Sequence, residues 1–151
     1  MKLRVAATVL GAMAMALFAI SPAQAAAKPY DHKDPYRTGC GNQAWAVKTG
    51  KIISQANGRV GTIKLMWSSK CKTNWIEIKL TSKPASMARG IIHVRTIDAR
   101  HDSFSFKPGN QGRHWGNMLY AKNICAWGTT TVRWNGGRGA QKASGSAGAC
   151  D

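Results

Sequence analysis

Glu77, His93 and Arg95 are the residues whose types best suit a reaction. A carboxylate, an imidazole and a guanidinium could act as general base, general acid and phosphate-holding cation, which is what phosphodiester cleavage needs. His101 and His114 could join them from loops. Convergence of the trio on one sheet face would make a secreted ribonuclease-like enzyme, although any basic β protein offers the same types by chance. Other chemistries have less material. A glycosidase needs two positioned carboxylates. Glu77 stands as the one glutamate beside Asp31, Asp34, Asp98, Asp102 and Asp151, and is read as a partner for neighbouring lysines. No Gly-x-Ser-x-Gly occurs, and every cysteine is expected to be paired, so a nucleophile is not in evidence. Asp31, His32 and Asp34 could be read as metal ligands. The plainer reading is a turn started by Asp before Pro, with Tyr30 and Tyr36 covering the edge of the core. No metal and no cofactor is expected, and the chain is read as non-enzymatic.

Binding residues are better represented. Six tryptophans are present, and the chain carries 22 Lys and Arg against 6 Asp and Glu, a formal net charge of +16. Such a surface meets polyanions: wall polymers, acidic polysaccharide, nucleic acid or anionic lipid. The basic residues are spread along the chain rather than blocked together, which favours a diffuse cationic face over a dedicated nucleic-acid arm. Most of the tryptophans are expected in the core. Trp67 and Trp134 fall at predicted strand ends and are expected to be exposed, with Lys64, Lys70, Lys72 and Arg133 near them in sequence. Arg or Lys beside Trp also holds single-stranded nucleic acid, so nucleic acid is a possible but non-specific partner.

The elements that must position these residues centre on residues 59–80. Two strand-forming runs flank a polar connector that carries Cys71, the pattern of a β-hairpin. In the second arm Ile76, Ile78 and Leu80 alternate with Trp75, Glu77 and Lys79, which predicts one buried face. Residues 40–57 read either as the one helix or as a strand followed by a turn, and Asn57-Gly58 is a turn signal. Residues 81–90 read as a loop, 91–97 as a strand, 98–112 as a polar loop around a short strand at Phe104 and Phe106, and 115–120 and 124–134 as the last strands. Residues 135–151 are rich in Gly, Ala and Ser and read as a flexible tail. The predicted fold is all-β, a small disulfide-stapled antiparallel sandwich or barrel with one short N-terminal helix at most. A single domain is expected over 26–134, as a monomer.

Residues 1–25 have the form of an export leader: Lys2 and Arg4, an apolar run, then Ala23-Gln24-Ala25. The run is shorter than the roughly 20 residues of a spanning helix, so cleavage and an extracellular location without a transmembrane segment are expected. Cys40, Cys71, Cys125 and Cys150 all follow the leader, and an even count in an oxidising compartment reads as two disulfides. Four cysteines allow three pairings, and the preferred one has Cys40–Cys71 tying the N-terminal segment to the central hairpin. Cys125–Cys150 would tether the tail. The spacings are too wide for Cys-x-x-Cys zinc pairs.

Three blocks resemble a family of small secreted actinobacterial proteins catalogued as a domain of unknown function. They are Tyr30-Asp31-x-x-Asp34-Pro35-Tyr36-x-Thr38-Gly39-Cys40, then Cys71-Lys72-Thr73-Asn74-Trp75, then Trp115-Gly116-Asn117-Met118-Leu119-Tyr120 followed by Trp127-Gly128. The resemblance implies a disulfide-bearing β domain outside the membrane, portable between chain contexts, and supplies no catalytic residues. Cys125, Cys150, the tail and the positive charge are departures from it. The function expected from all of this is a secreted, non-enzymatic module that binds an anionic surface, cell-wall polymer or polysaccharide. A secreted antagonist (inhibitor, toxin component or antimicrobial protein) is the alternative, and the ribonuclease-like enzyme the third.

Overall fold

The hairpin of residues 59–80 forms as β2 (Gly58–Ser68) and β3 (Thr73–Leu80), paired in register from Gly61 opposite Leu80 to Ser68 opposite Thr73. The computed structural model describes residues 28–136 and 139–150. The leader expected at 1–25 lies outside them, as do Gly137, Arg138 and Asp151. The other strands are β1 (Trp45–Ser54), β4 (Arg89–Thr96), β5 (His101–Phe106), β6 (Arg113–Trp115), β7 (Leu119–Tyr120), β8 (Ala126–Gly136) and β9 (Gly139–Ala149). They make one antiparallel sheet in the order β5-β4-β8-β9-β1-β2-β3-β6, with β7 also on β3. The sheet curls into a nearly closed barrel. Among the described residues no helix is long and apolar enough to cross a membrane.

The strand reading of residues 40–57 holds. A 3-10 turn at Cys40–Gln43 leads into β1. A register shift between Ala46 and Lys48 and another after Ile52 break its alternation. Ile52 points into the core while Trp45, Val47 and Ile53 stay exposed, which is why the apolar residues of this stretch fit no single period. Gly58 opens β2 at φ +66°, and a β-carbon there would meet nothing within 4 Å, so the turn asks for glycine on conformational grounds alone. Residues 81–90 contain one short helix, α1 (Ser82–Ala85).

Two expectations are corrected. The tail is not a flexible tether. Residues 139–149 are β9, which pairs with β8 along its whole length and meets β1 at Ser144–Ile53. Small side chains hide a strand from a hydrophobicity reading, yet Ala143 and Ala147 are buried with Gly145 between them. They face a core whose bulk comes from Ile52, Ile63, Leu65, Ile76 and Ile78. β3 also differs: it is buried on both faces, except at Lys79. Its inner face joins the barrel core. Its outer face, with Trp75, is covered by the N-terminal segment and Met118 in a second cluster.

That segment is a clasp. The disulfide Cys40–Cys71 ties it to the β2–β3 turn, and His32 and Lys33 exchange backbone hydrogen bonds with Met118. Cys125–Cys150 joins the outer ends of β8 and β9. The tightest crossing lies inside the barrel at Gly128, where a β-carbon would stand 2.1 Å from Cγ1 of Ile76 and 2.3 Å from the carbonyl oxygen of His93. Gly128→Ala should therefore lower stability by about 1–3 kcal/mol through overpacking. Ser146→Ala on the exposed face of β9 should stay within about 0.5 kcal/mol of the parent. Urea denaturation of both variants checks the pair.

Candidate functional site

Strand parity decides which side chains of β8 reach solvent. Ala126, Gly128, Thr130, Val132 and Trp134 point inward and are buried; Trp127, Thr129, Thr131 and Arg133 point outward. Trp134 is only 6% exposed and belongs to the core, so its expected exposure is overturned. Trp67 is half-buried and packs against the same core from the end of β2. Trp127 and Trp45, at 39% and 49%, are the exposed indoles. The signal was available in Val132: a buried valine puts Trp134, two residues on, on its own face and Trp127 on the other.

The six residues expected to bind do not meet. Lys64 stands opposite Glu77 on the outer face of β2. Lys70 and Lys72 are exposed in the β2–β3 turn, Lys72 at φ +56°. Arg133 alone lies in a groove, in company the sequence reading missed. It is directly paired with Arg89 of β4 on one side and with Lys142 of β9 on the other. Lys107, just past β5, lines the same open groove of about 720 Å³. Like charges set opposite one another across strands destabilise a sheet. No carboxylate lines the groove, and none of the four cations has an ion-pair partner among the described residues. A second hollow, between the β1–β2 turn and β9, shares Lys142 with it.

The acids are elsewhere. Asp31 takes the Arg100 guanidinium at 2.9 Å and the Tyr120 amide. Asp34 accepts from the amides of Tyr36 and Arg37 and from the Trp115 indole. Burial raises the Asp34 carboxyl, but the Arg37 amide, the Trp115 indole and the Tyr36 amide outweigh it and hold it below 3.8. Asp98 pairs with Arg100, and Asp102 with His32. Glu77 pairs with Arg113 at 2.8 Å and accepts from the Tyr36 hydroxyl, so its partners are not the lysines expected. Burial, then the Glu77 carboxylate, push the Tyr36 phenol up to about 12. Arg113 lies over the rings of Tyr36 and Trp115. Every described acid except Asp98, which sits on Arg100 in the turn between β4 and β5, is thus engaged in the clasp or at the seam it covers.

His93 and Arg95 lie on the outer face of β4, where the His93 imidazole bonds the Ser103 hydroxyl at 2.7 Å. Their surroundings are separate from the Tyr36–Glu77–Arg113 group. His101 opens β5, and His114 is buried in β6, stacked on Phe106. Asp102 lies in β5 rather than a loop. Among the described residues no group of His, Cys, Asp and Glu is arranged to hold a metal ion.

Fold and groove together define a small disulfide-stapled β-barrel protein with its acids gathered on one side and an acid-free basic groove on another. The chain belongs to the family described as protein of unknown function (DUF2690), whose model matches residues 28–146. It is also similar to the "Uncharacterized protein YjfA" of Bacillus subtilis (strain 168), with 33% identity over 62 residues, covering 41% of this chain and 40% of that protein. The chain thus spans well under half the length of the curated relative it matches. No solved structure matches it.

His114 yields a pH prediction. Its Nε2 is buried with no hydrogen-bond partner among the described residues, and burial lowers its pKa below 6.5. The unfolded imidazole takes up a proton below about 6.5 while the folded one resists. Stability should therefore be full above that pH and fall as pH drops through the folded value. His114→Phe should flatten this slope, leaving the loss at lower pH that comes with protonation of Asp34 and Asp98, both held below 3.8. Thermal midpoints of parent and variant across pH 7 to 4 check it.

Proposed function

We propose that this is an exported, non-enzymatic binding module that attaches to an anionic extracellular surface, a cell-wall polymer or polysaccharide, through the groove at Arg89, Arg133 and Lys142. The observation that carries the reading is the register: three cations paired directly across three adjacent strands, beside Lys107, with no carboxylate in the groove. A sheet gains nothing from this arrangement, since each opposed like-charge pair costs stability. An anion bridging the row turns that cost into attraction. Two of the paired cations are guanidinium groups, whose fork matches carboxylate, sulfate and phosphate oxygens two at a time. The leader pattern, the two disulfides and the excess of basic residues support an extracellular site of action.

The test is retention on isolated cell walls, with and without their anionic polymers, across a salt series. Parent protein should be retained on the complete walls and released as salt rises, because exposed charges are screened. The triple variant Arg89→Gln/Arg133→Gln/Lys142→Gln should bind about tenfold more weakly, at roughly 0.5 kcal/mol for each exposed charge removed. Lys70→Gln/Lys72→Gln, in the distant hairpin turn, should keep most of its retention. Equal weakening in both variants would leave only generic charge attraction, and no retention of the parent would end the proposal. The triple variant should also melt higher than the parent, since it removes the opposed like charges.

A further inference from the structure

The groove continues into a longer surface. Outward residues of β8 run from Arg133 through Thr131 and Thr129 to Trp127. Each has a register partner on both sides. On β9 these are Lys142, Ser144, Ser146 and Gly148; on β4 they are Arg89, Ile91, His93 and Arg95. The result is a patch three strands wide with cations at one end, hydroxyl groups along the middle, and an exposed indole beside an exposed arginine at the other end. Arg133 and Trp127 are six residues apart on one strand, about 20 Å. The clasp's hydrogen bonds reach none of it: they go to residues of β3, β5, β6 and β7, to Met118 and to Arg100.

We propose that this surface is one track, that its ligand is an acidic polysaccharide lying along β8 and β9, and that Trp127 takes the face of a sugar ring at the end remote from the basic row. The proposal rests on the groove reading above and adds the ligand's class, direction and minimum length. Charge complementarity fixes the anionic character: no acid stands among these residues, and Arg95 repeats the positive charge at the far end. The middle of the track fixes the sugar character. Thr129, Thr131, Ser144 and Ser146 offer hydroxyl groups to a ligand rich in hydroxyl groups, each able to donate and accept. A nucleic acid strand is held instead by aromatic rings met at successive bases, and Trp127 is the one indole or phenyl ring on the outer faces of these strands. Its β9 partner is Gly148, where a β-carbon would lie 2.8 Å from that of Trp127. No side chain therefore covers the indole from that strand, and one cannot be added cheaply.

Oligogalacturonates of graded length, titrated at fixed salt by calorimetry, test the track. Affinity should climb with length until the oligomer spans about 20 Å and then level off. Trp127→Ala should weaken the long oligomers about tenfold and leave the shortest unchanged, while Trp127→Tyr restores them. Arg133→Gln should weaken short and long alike. Length-independent binding, or long oligomers indifferent to Trp127→Ala, overturns the track while salt-dependent retention on walls still stands for the groove. RNA oligomers of equal length bound more tightly than the oligogalacturonates would also overturn it. If neither walls nor oligomers are retained, the groove reading itself has failed.

Discussion

A β-carbon at Gly128 would overlap Ile76 from across the barrel and the His93 carbonyl oxygen from the neighbouring strand. The curl of the sheet depends on that empty space. β1, β2 and β3 bring large side chains to the interior, among them Ile52, Ile63, Leu65 and Ile78. β8 and β9 answer with Ala126, Gly128, Thr130, Ala143, Gly145 and Ala147, while Val132 and Trp134 add bulk at one end of β8. Close packing needs the two sets to be complementary in size, because a core tolerates neither voids nor overlap. The small-residue half is as much a part of the core as the large one, and it brings the bulky strands near enough to touch.

With the interior settled, charge is distributed by the clasp. The N-terminal segment covers the outer face of β3 and draws the acids to itself: Asp31 with Arg100, Asp34 with the Trp115 indole, Glu77 with Tyr36 and Arg113, Asp102 with His32. The blocks around Asp31, Asp34 and Tyr36, around Cys71 and Trp75, and from Trp115 to Tyr120 meet in this covering. They hold the fold together, and the basic groove lies apart from them. A similarity carried by such residues speaks to architecture, and the outward face of β8 is where binding has to be read.

Much of the architecture was legible in the sequence. The β2–β3 hairpin, its cysteine-bearing turn and an all-β fold follow from alternation and turn residues, and an even cysteine count gives two disulfides; the pairing seen is the one preferred among the three that four cysteines allow. β9 was not legible, because Ala, Gly and Ser carry little hydrophobic signal even when buried, and their fit depends on isoleucines far away in sequence. The double burial of β3 was hidden for a related reason: Trp75 and Glu77 look like an outward face until Tyr36, Arg113 and Trp115 are laid over them. The binding residues were half legible. Arg133 was found and its partners were not, since Arg89 and Lys142 lie more than forty residues before it and nine after it in the chain and meet it only through strand register. Trp134 was placed outside by its polar neighbours in sequence, where the parity set by Val132 puts it inside.

The position of β9 has a consequence for how the molecule is assembled. It lies between β8 and β1 in the sheet, yet follows every other strand in sequence. β1, β2 and β3 can pair as a meander once made, and β4 and β5 as a hairpin to which β8 adds on the β4 side after β6 and β7 have joined β3. Among the described residues, strand pairing joins these two groups only through β9. During vectorial synthesis each group must wait with an open edge until residues 139–149 emerge. Closure is then a late, long-range event of the kind that slows folding. The barrel closes only when β9 takes its place between β8 and β1.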